Sequence, residues 1–179
     1  MNPAHDSYLI LFASCVLIAA AICDLRYRKI PNVYTFPTMI VALVYFGVTR
    51  GLSGLVFSAG GMALGMGILI LPYLMGGMGA GDVKLLGAAG AVVGPLGVLN
   101  VFVVTAFIGL IYAVLVILFR YRYTRDFLSR LATMLKLSAY AGRFVYVPAS
   151  GSENKPKVSY GIAIALGALS YLSLEFIRF

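Results

Sequence analysis

The chain has 179 residues, of which 61% are hydrophobic and only 11% charged, with a mean hydropathy of +0.97, so it lacks the polar residues that a water-soluble domain needs to cover its core. The formal net charge is +8, but its Lys and Arg residues fall between apolar stretches rather than along one face of a soluble domain, which argues against nucleic acid and for the positive loops of a membrane protein. Cys15 and Cys23 share one apolar run, where a helix holds them too far apart to bridge, and without a Cys-x-x-Cys pair neither a zinc finger nor a redox centre has its ligands.

In chain order, the start from Met1 to Asp6 has no basic region and the following apolar run has no small-residue cleavage site, so the first span is expected to stay in the mature protein. The two cysteines within it are expected to be buried as small apolar residues. Runs of roughly 20 apolar residues place spans at about 7–24, 33–49, 55–75, 83–97, 98–119 and 159–177. The fourth is short and runs into Gly94-Pro95-Leu96-Gly97, where a helix should break. In the third, Gly60, Gly61, Gly65 and Gly67 are expected to permit close helix packing.

Charge supports six crossings. The segments after the first, third and fifth spans then share one side and collect Arg26, Arg28, Lys29, Lys84, Arg120, Arg122, Arg125, Arg130, Lys136, Arg143, Lys155 and Lys157, with Arg50 and Arg178 opposite. By the positive-inside rule that side is cytoplasmic and both termini lie across the membrane from it. Within the loop at about 120–158, Phe127, Leu128, Leu131, Met134, Leu135 and Leu137 recur at near-helical spacing between Arg125, Arg130 and Lys136. A basic amphipathic helix lying on the anionic leaflet is expected there, with contact to a substrate or partner as the other reading. The fold class is therefore all-α, a single polytopic membrane domain over 1–179 with six transmembrane helices and a cytoplasmic amphipathic helix.

Of the six acidic residues, Asp6, Asp126, Glu153 and Glu175 fall in a tail, the basic loop or the last turn of the final helix. Asp24 closes the first span and Asp82 opens the fourth, so two crossings bring them to the same side. A carboxylate at the edge of the hydrocarbon has a partner or a task. Asp24 has Arg26 and Arg28 nearby, and Asp82 stands where a helix N-cap would. Glycine is dense in Gly76-Gly77-Met78-Gly79-Ala80-Gly81-Asp82-Val83-Lys84, which permits positive φ and close backbone approach. Such a loop is either a flexible connector or a place for an extended peptide beside the carboxylate.

Two neighbouring carboxylates can share a proton, one accepting a proton from water while the other donates a hydrogen bond to a peptide carbonyl. The chemistry needs no cofactor. Metal hydrolysis is disfavoured because the one histidine, His5, belongs to the opposite face, and a Ser-His-Asp or Cys-His arrangement fails for the same reason. A small ion-coupled transporter would use its carboxylates near the midplane instead. A noncatalytic membrane component of a pilus or secretion system would not need them.

The stretch Cys23-Asp24-Leu25-Arg26-Tyr27-Arg28-Lys29-Ile30-Pro31-Asn32 together with Gly79-Ala80-Gly81-Asp82-Val83-Lys84-Leu85 resembles the type IV prepilin leader peptidase family of intramembrane aspartic peptidases, in which an Asp precedes Ile-Pro-Asn and a second lies in Gly-x-Gly-Asp-x-Lys. The resemblance implies that Asp24 and Asp82 are catalytic, and that prepilins or pseudopilins are cut at the cytoplasmic face of a bacterial inner membrane, after a short basic leader that usually ends in glycine. It further implies that Gly79 and Gly81 shape the loop, that Lys84 tunes the pair or contacts phospholipid, and that Pro31 and Asn32 turn and cap the entry to the second span. Larger members carry a Cys-x-x-Cys insertion between the first two spans and N-methylate the product. Here the connection is short, similar to peptidase-only forms serving tight-adherence pili. Val158-Ser159-Tyr160-Gly161 resembles a Pro-aromatic-Gly element of many members, with Ser159 in place of the proline.

Overall fold

The computed structural model describes residues 3–75, 77–119, 133–134, 136–137, 140 and 160–178. The chain divides into two compact units, Met1–Gly109 with Lys157–Phe179, and Leu110–Pro156; every candidate site residue lies in the first. The regular structure is helical throughout the described residues: α1 spans Pro3–Tyr27, α2 Asn32–Leu74, α3 Ala80–Phe119 and α4 Tyr160–Arg178. The basic amphipathic helix expected over 120–158 lies outside the described residues, apart from helical backbone at Thr133, Met134, Lys136, Leu137 and Tyr140.

Three stretches, Ser7–Tyr27, Asn32–Leu74 and Ala80–Ile111, are long and apolar enough to cross a membrane, and α4 adds a shorter apolar helix over Tyr160–Glu175. Their outer faces carry exposed Leu11, Ile22, Val48, Leu52 and Phe107. In water so many exposed apolar side chains would drive association, whereas acyl chains accommodate them. The same solvent corrects the expectation for the cysteines. Cys15 is exposed and Cys23 only half-buried, both as free thiols, because a thiol on a lipid-facing surface gains nothing from being covered by protein.

Helix α2 has 43 residues, enough for about 65 Å, or twice the ~30 Å hydrocarbon layer. It is interrupted at Gly51, with φ 63° and ψ −146°, and there the chain doubles back. The Phe46 and Phe57 rings meet at 5.2 Å, whereas a straight helix would separate them by about 16 Å. Helix α3 is interrupted in the same way at Gly94, with φ 75° and ψ −178°, next to Pro95. Proline has no N–H for the helix and glycine accepts the positive φ. The break falls at the glycine rather than at the 97/98 boundary read from hydropathy. A Cβ at Gly94 would also collide with the Phe57 ring, so this position needs glycine for two separate reasons.

The later part of α2 packs antiparallel on the start of α3. Ser58 Oγ donates to the Ala91 carbonyl at 2.8 Å, while Gly61 lies against the Gly90 carbonyl and Gly65 against that of Leu86. Backbones approach this closely only where side chains are absent. Of the four glycines expected to pack, Gly61 and Gly65 do so, Gly60 makes ordinary contact with Pro95, and a Cβ on Gly67 would meet open space. Gly61→Ala is therefore expected to destabilise the protein by about 1–3 kcal/mol through overpacking, whereas Gly67→Ala should stay within about 0.5 kcal/mol. Thermal unfolding in detergent measures both, and equal effects would contradict the packing.

Helix α4 runs antiparallel to the later part of α3. The buried Thr105 hydroxyl is 2.7 Å from Val101 O and 3.4 Å from Ala163 O, and Gly167 leaves room for it. Helix α4 is also antiparallel to α1. Asp24 meets Gly161 at one end, and Leu9 and Leu172 share the lining of a cavity at the other. The end of α1 and the starts of α2, α3 and α4 thus gather at one end of the bundle.

Candidate active site

Helix α1 stops at Arg28, which takes the left-handed conformation at φ 51° and donates its N–H to Asp24 O at 2.8 Å. That is a helix-ending position usually given to glycine. It turns the chain sharply towards Ile30 and Pro31, and leaves Asp24 in the last turns of α1, only 5% exposed. Asp24 Oδ2 accepts a hydrogen bond from Gly161 N at 3.1 Å. This is one of the N–H groups that the first turn of α4 cannot satisfy internally, and its end of the helix dipole suits an anion. No ion pair joins Asp24 to Arg26 or Arg28 among the described residues. Arg26 lies instead over the ring of Tyr27, 5.8 Å from its centroid.

Asp82 stands in the first turn of α3 and is 7% exposed. Its Oδ2 accepts from Gly79 N at 3.0 Å, while its own N–H donates to Gly79 O at 3.1 Å. The carboxylate on the Gly79 N–H is one half of a capping box, with the acid three residues into the helix, and the Gly79 backbone carbonyl stands where a Ser or Thr side chain would complete it. Asp82 therefore does cap α3, and the cap occupies only one carboxylate oxygen. Each aspartate has one oxygen held by a backbone N–H, and Oδ1 of each has no protein partner among the described residues.

Ile30 links the two. A Cβ on Gly81, beside Asp82, would stand 3.0 Å from Ile30 Cβ, and one on Gly161 would stand 2.8 Å from both Ile30 Cδ1 and Asp24 Oδ2. The isoleucine is wedged between the glycine before one carboxylate and the glycine that holds the other.

Of the two uses expected of the loop glycines, positive φ and close backbone approach, only the second is seen at Gly79 and Gly81. Among the described residues positive φ occurs in glycine only at Gly51 and Gly94, so neither Gly79 nor Gly81 is there for a left-handed turn. Gly79 supplies an N–H to Asp82, Gly81 lets α3 approach Ile30, and Gly76 lies outside the described residues. Pro31 is the N-cap residue of α2, with φ −65° and ψ 142°, and no side chain caps that helix. Asn32 does not cap it either. Its Oδ1 accepts from Lys84 Nζ at 3.0 Å, and the same ammonium sits 5.1 Å from the centroid of the Phe36 ring. Lys84 thus ties the start of α3 to the start of α2. Removing one partner of this exposed bond, by Lys84→Ala or Asn32→Ala, is expected to cost about 0.5–1.5 kcal/mol. The double substitution should cost little more than either single one, a coupling that a double-mutant cycle on thermal unfolding measures.

Gly161 and Ile30 are the site residues that sequence reading assigned no role. Both had a signal, Gly161 in the element before the last span and Ile30 beside Pro31 and Asn32. Among the described residues no three of His, Cys, Asp and Glu are grouped as metal ligands.

A model of the type IV leader peptidase family matches residues 11–114, more than half of the chain and a stretch holding both Asp24 and Asp82. The chain belongs to this family. It is 31% identical over 113 residues to the type 4 prepilin-like proteins leader peptide-processing enzyme of Escherichia coli O78:H11 (strain H10407 / ETEC), an alignment covering 59% of this chain and 42% of that protein. The chain thus aligns with less than half the length of this leader peptidase relative. No solved structure matches it. The family match ends before Gly161, so the donor to Asp24 comes from outside the matched region.

Proposed function

We propose that the protein is an intramembrane aspartic endopeptidase that removes the short basic leader from prepilin-like or pseudopilin substrates at the cytoplasmic face of a bacterial inner membrane. The observation that carries this reading is the convergence of Asp24 and Asp82. They come from different helices, each is anchored through one oxygen by a backbone N–H, and they meet across Ile30 in a member of a leader peptidase family.

In the reaction one carboxylate takes a proton from water as the water oxygen bonds to the scissile carbonyl carbon. The other, protonated, carboxyl gives its proton to the carbonyl oxygen as that oxygen gains charge, which leaves a gem-diol. The resulting diol collapses as the C–N bond breaks and a proton passes to the departing nitrogen. The leader leaves with a new carboxylate and the pilin with a new amino terminus. The anchoring bonds from Gly79 and Gly161 keep both carboxyl groups oriented without adding a competing cation.

The topology we infer has six crossings. The breaks at Gly51 and Gly94 divide α2 and α3 into antiparallel halves, which supports four crossings from these two helices, with α1 and α4 adding one each. Arg26, Arg28, Lys29 and Lys84 stand at the carboxylate end, which makes that end cytoplasmic and puts both termini on the other side. The short connection between α1 and α2 leaves no room for the insertion that accompanies N-methylation in larger members.

The test is co-expression with a prepilin bearing a short basic leader. Loss of the leader, read as a mass shift and a new amino terminus, is expected only when the peptidase is present. An intact leader would contradict the proposal and leave an ion-coupled transporter or a noncatalytic assembly component.

A further inference from the structure

Ile30 stands in the short connection between α1 and α2, partly exposed and packed against the core of the bundle. Its backbone is confined from both sides. Arg28 turns the chain at φ 51°, and Pro31, at φ −65°, holds the residue before it to extended conformations. The side chain is β-branched and stiff about its first torsion. A Cβ on Gly81 would stand 3.0 Å from Ile30 Cβ and 3.5 Å from its Cγ1, so the start of α3 backs the stem and leaves it no room to retreat. The tip points to the other carboxylate. Ile30 Cδ1 and Asp24 Oδ2 would each lie 2.8 Å from a Cβ on Gly161, so the two atoms are at most twice that distance apart.

The reacting carbonyl has little choice of position. Oδ2 of each aspartate is held by a backbone N–H, which leaves the two Oδ1 atoms for the water and the carbonyl oxygen. A scissile carbonyl placed between them has Ile30 beside it. Of the substrate's side chains, the one on the residue that supplies this carbonyl comes closest. Its Cα is bonded directly to the carbonyl carbon at about 1.5 Å, whereas the next residue's Cα is a further bond away through the nitrogen. A glycine there meets the isoleucine with hydrogens alone. A larger residue has to share that space, and crowding that moves the carbonyl by roughly an ångström costs about 10²-fold in rate.

We infer that Ile30 is the specificity-determining residue of this site, the wall that limits the residue before the scissile bond to a small side chain. The inference rests on the peptidase reading above and adds to it the one side chain that sets the size limit. The limit is graded, because the stem of the isoleucine is fixed while its tip can turn. Alanine before the scissile bond is accepted poorly and valine hardly at all.

Ratios of kcat/KM for purified prepilins carrying Gly, Ala or Val before the scissile bond, measured with the parent, Ile30→Val and Ile30→Ala, test the assignment. The parent is expected to favour Gly over Ala by about tenfold and over Val by about 100-fold, within the range for surplus methylene-sized groups. Ile30→Val should narrow both ratios, and Ile30→Ala should bring Ala within about threefold of Gly. A side chain with a merely structural role would lower all the rates together, and ratios left at the parental values would overturn the inference. So would a size preference that Ile30→Val and Ile30→Ala relax only when Gly, Ala and Val are placed after the scissile bond. Where Ile30→Ala fails to fold, the Ile30→Val ratios decide alone. A parent that cleaves none of these prepilins contradicts the peptidase reading itself, an outcome distinct from a parent whose preference ignores Ile30.

Discussion

Asp24→Asn and Asp82→Asn are each expected to lower the rate of leader cleavage by about 10²–10⁴-fold, the range over which a positioned acid or base contributes. The amide is the informative replacement. Its oxygen can still accept the N–H of Gly161 or of Gly79, so the anchors at 3.1 Å and 3.0 Å survive while the ability to exchange a proton is lost. Stability should change little, because each carboxylate is held by a backbone donor and not by a buried cation that would be stranded. Membrane insertion and thermal unfolding of both variants should match the parent. A variant that retains parental cleavage would remove that aspartate from the chemistry.

Gly161→Ala is expected to lower kcat by about 10²-fold, the penalty for displacing a reacting group by roughly an ångström. A methyl at this position would press on Asp24 Oδ2 and on Ile30 Cδ1, both at 2.8 Å. The end of an isoleucine can turn aside; the carboxylate cannot do so without lengthening its bond to Gly161 N. Trimming the isoleucine in a Gly161→Ala/Ile30→Val double variant should therefore restore stability more than rate. Steady-state kinetics on a purified prepilin would show the loss in kcat with KM little changed. Full recovery of rate in the double variant would place the damage at Ile30 and not at Asp24.

What could be read in the sequence divides along physical lines. Asp24 and Asp82 stood out because charges are rare and costly in an apolar chain, and parity of crossings could put them on one side without coordinates. The reversal at Gly94 was legible because Pro95 follows it and proline cannot continue the hydrogen-bonded ladder. The one at Gly51 was bracketed only by the gap between two apolar runs. For Gly79 and Gly81 the sequence left both of glycine's uses open, because positive φ and close approach look alike there. Only the backbone angles, and the nearness of Ile30, separate them. Asn32 looks like a cap in sequence and turns out to be an acceptor for Lys84, a partner 52 positions away.

The placement of Gly161 depended on a still longer reach, since its N–H meets a carboxylate 137 positions earlier in the chain. No local pattern encodes that contact, which follows from α1 and α4 running antiparallel. Cys15 illustrates a different failure. Burial rules learned from water-soluble proteins lose their force where the surrounding medium is itself apolar. The basic amphipathic helix lies outside the described residues, apart from a few helical positions.

The central claim is that Asp24 and Asp82 act as one catalytic unit. The most direct measurement compares single-turnover cleavage of a purified prepilin by the parent, by Asp24→Asn, by Asp82→Asn and by the double variant. Groups that act as a unit are far from additive, so removing both should cost about as much as removing one. The account predicts that the double variant is no slower than the slower single variant. Multiplicative losses, or parental cleavage by either single variant, would contradict it.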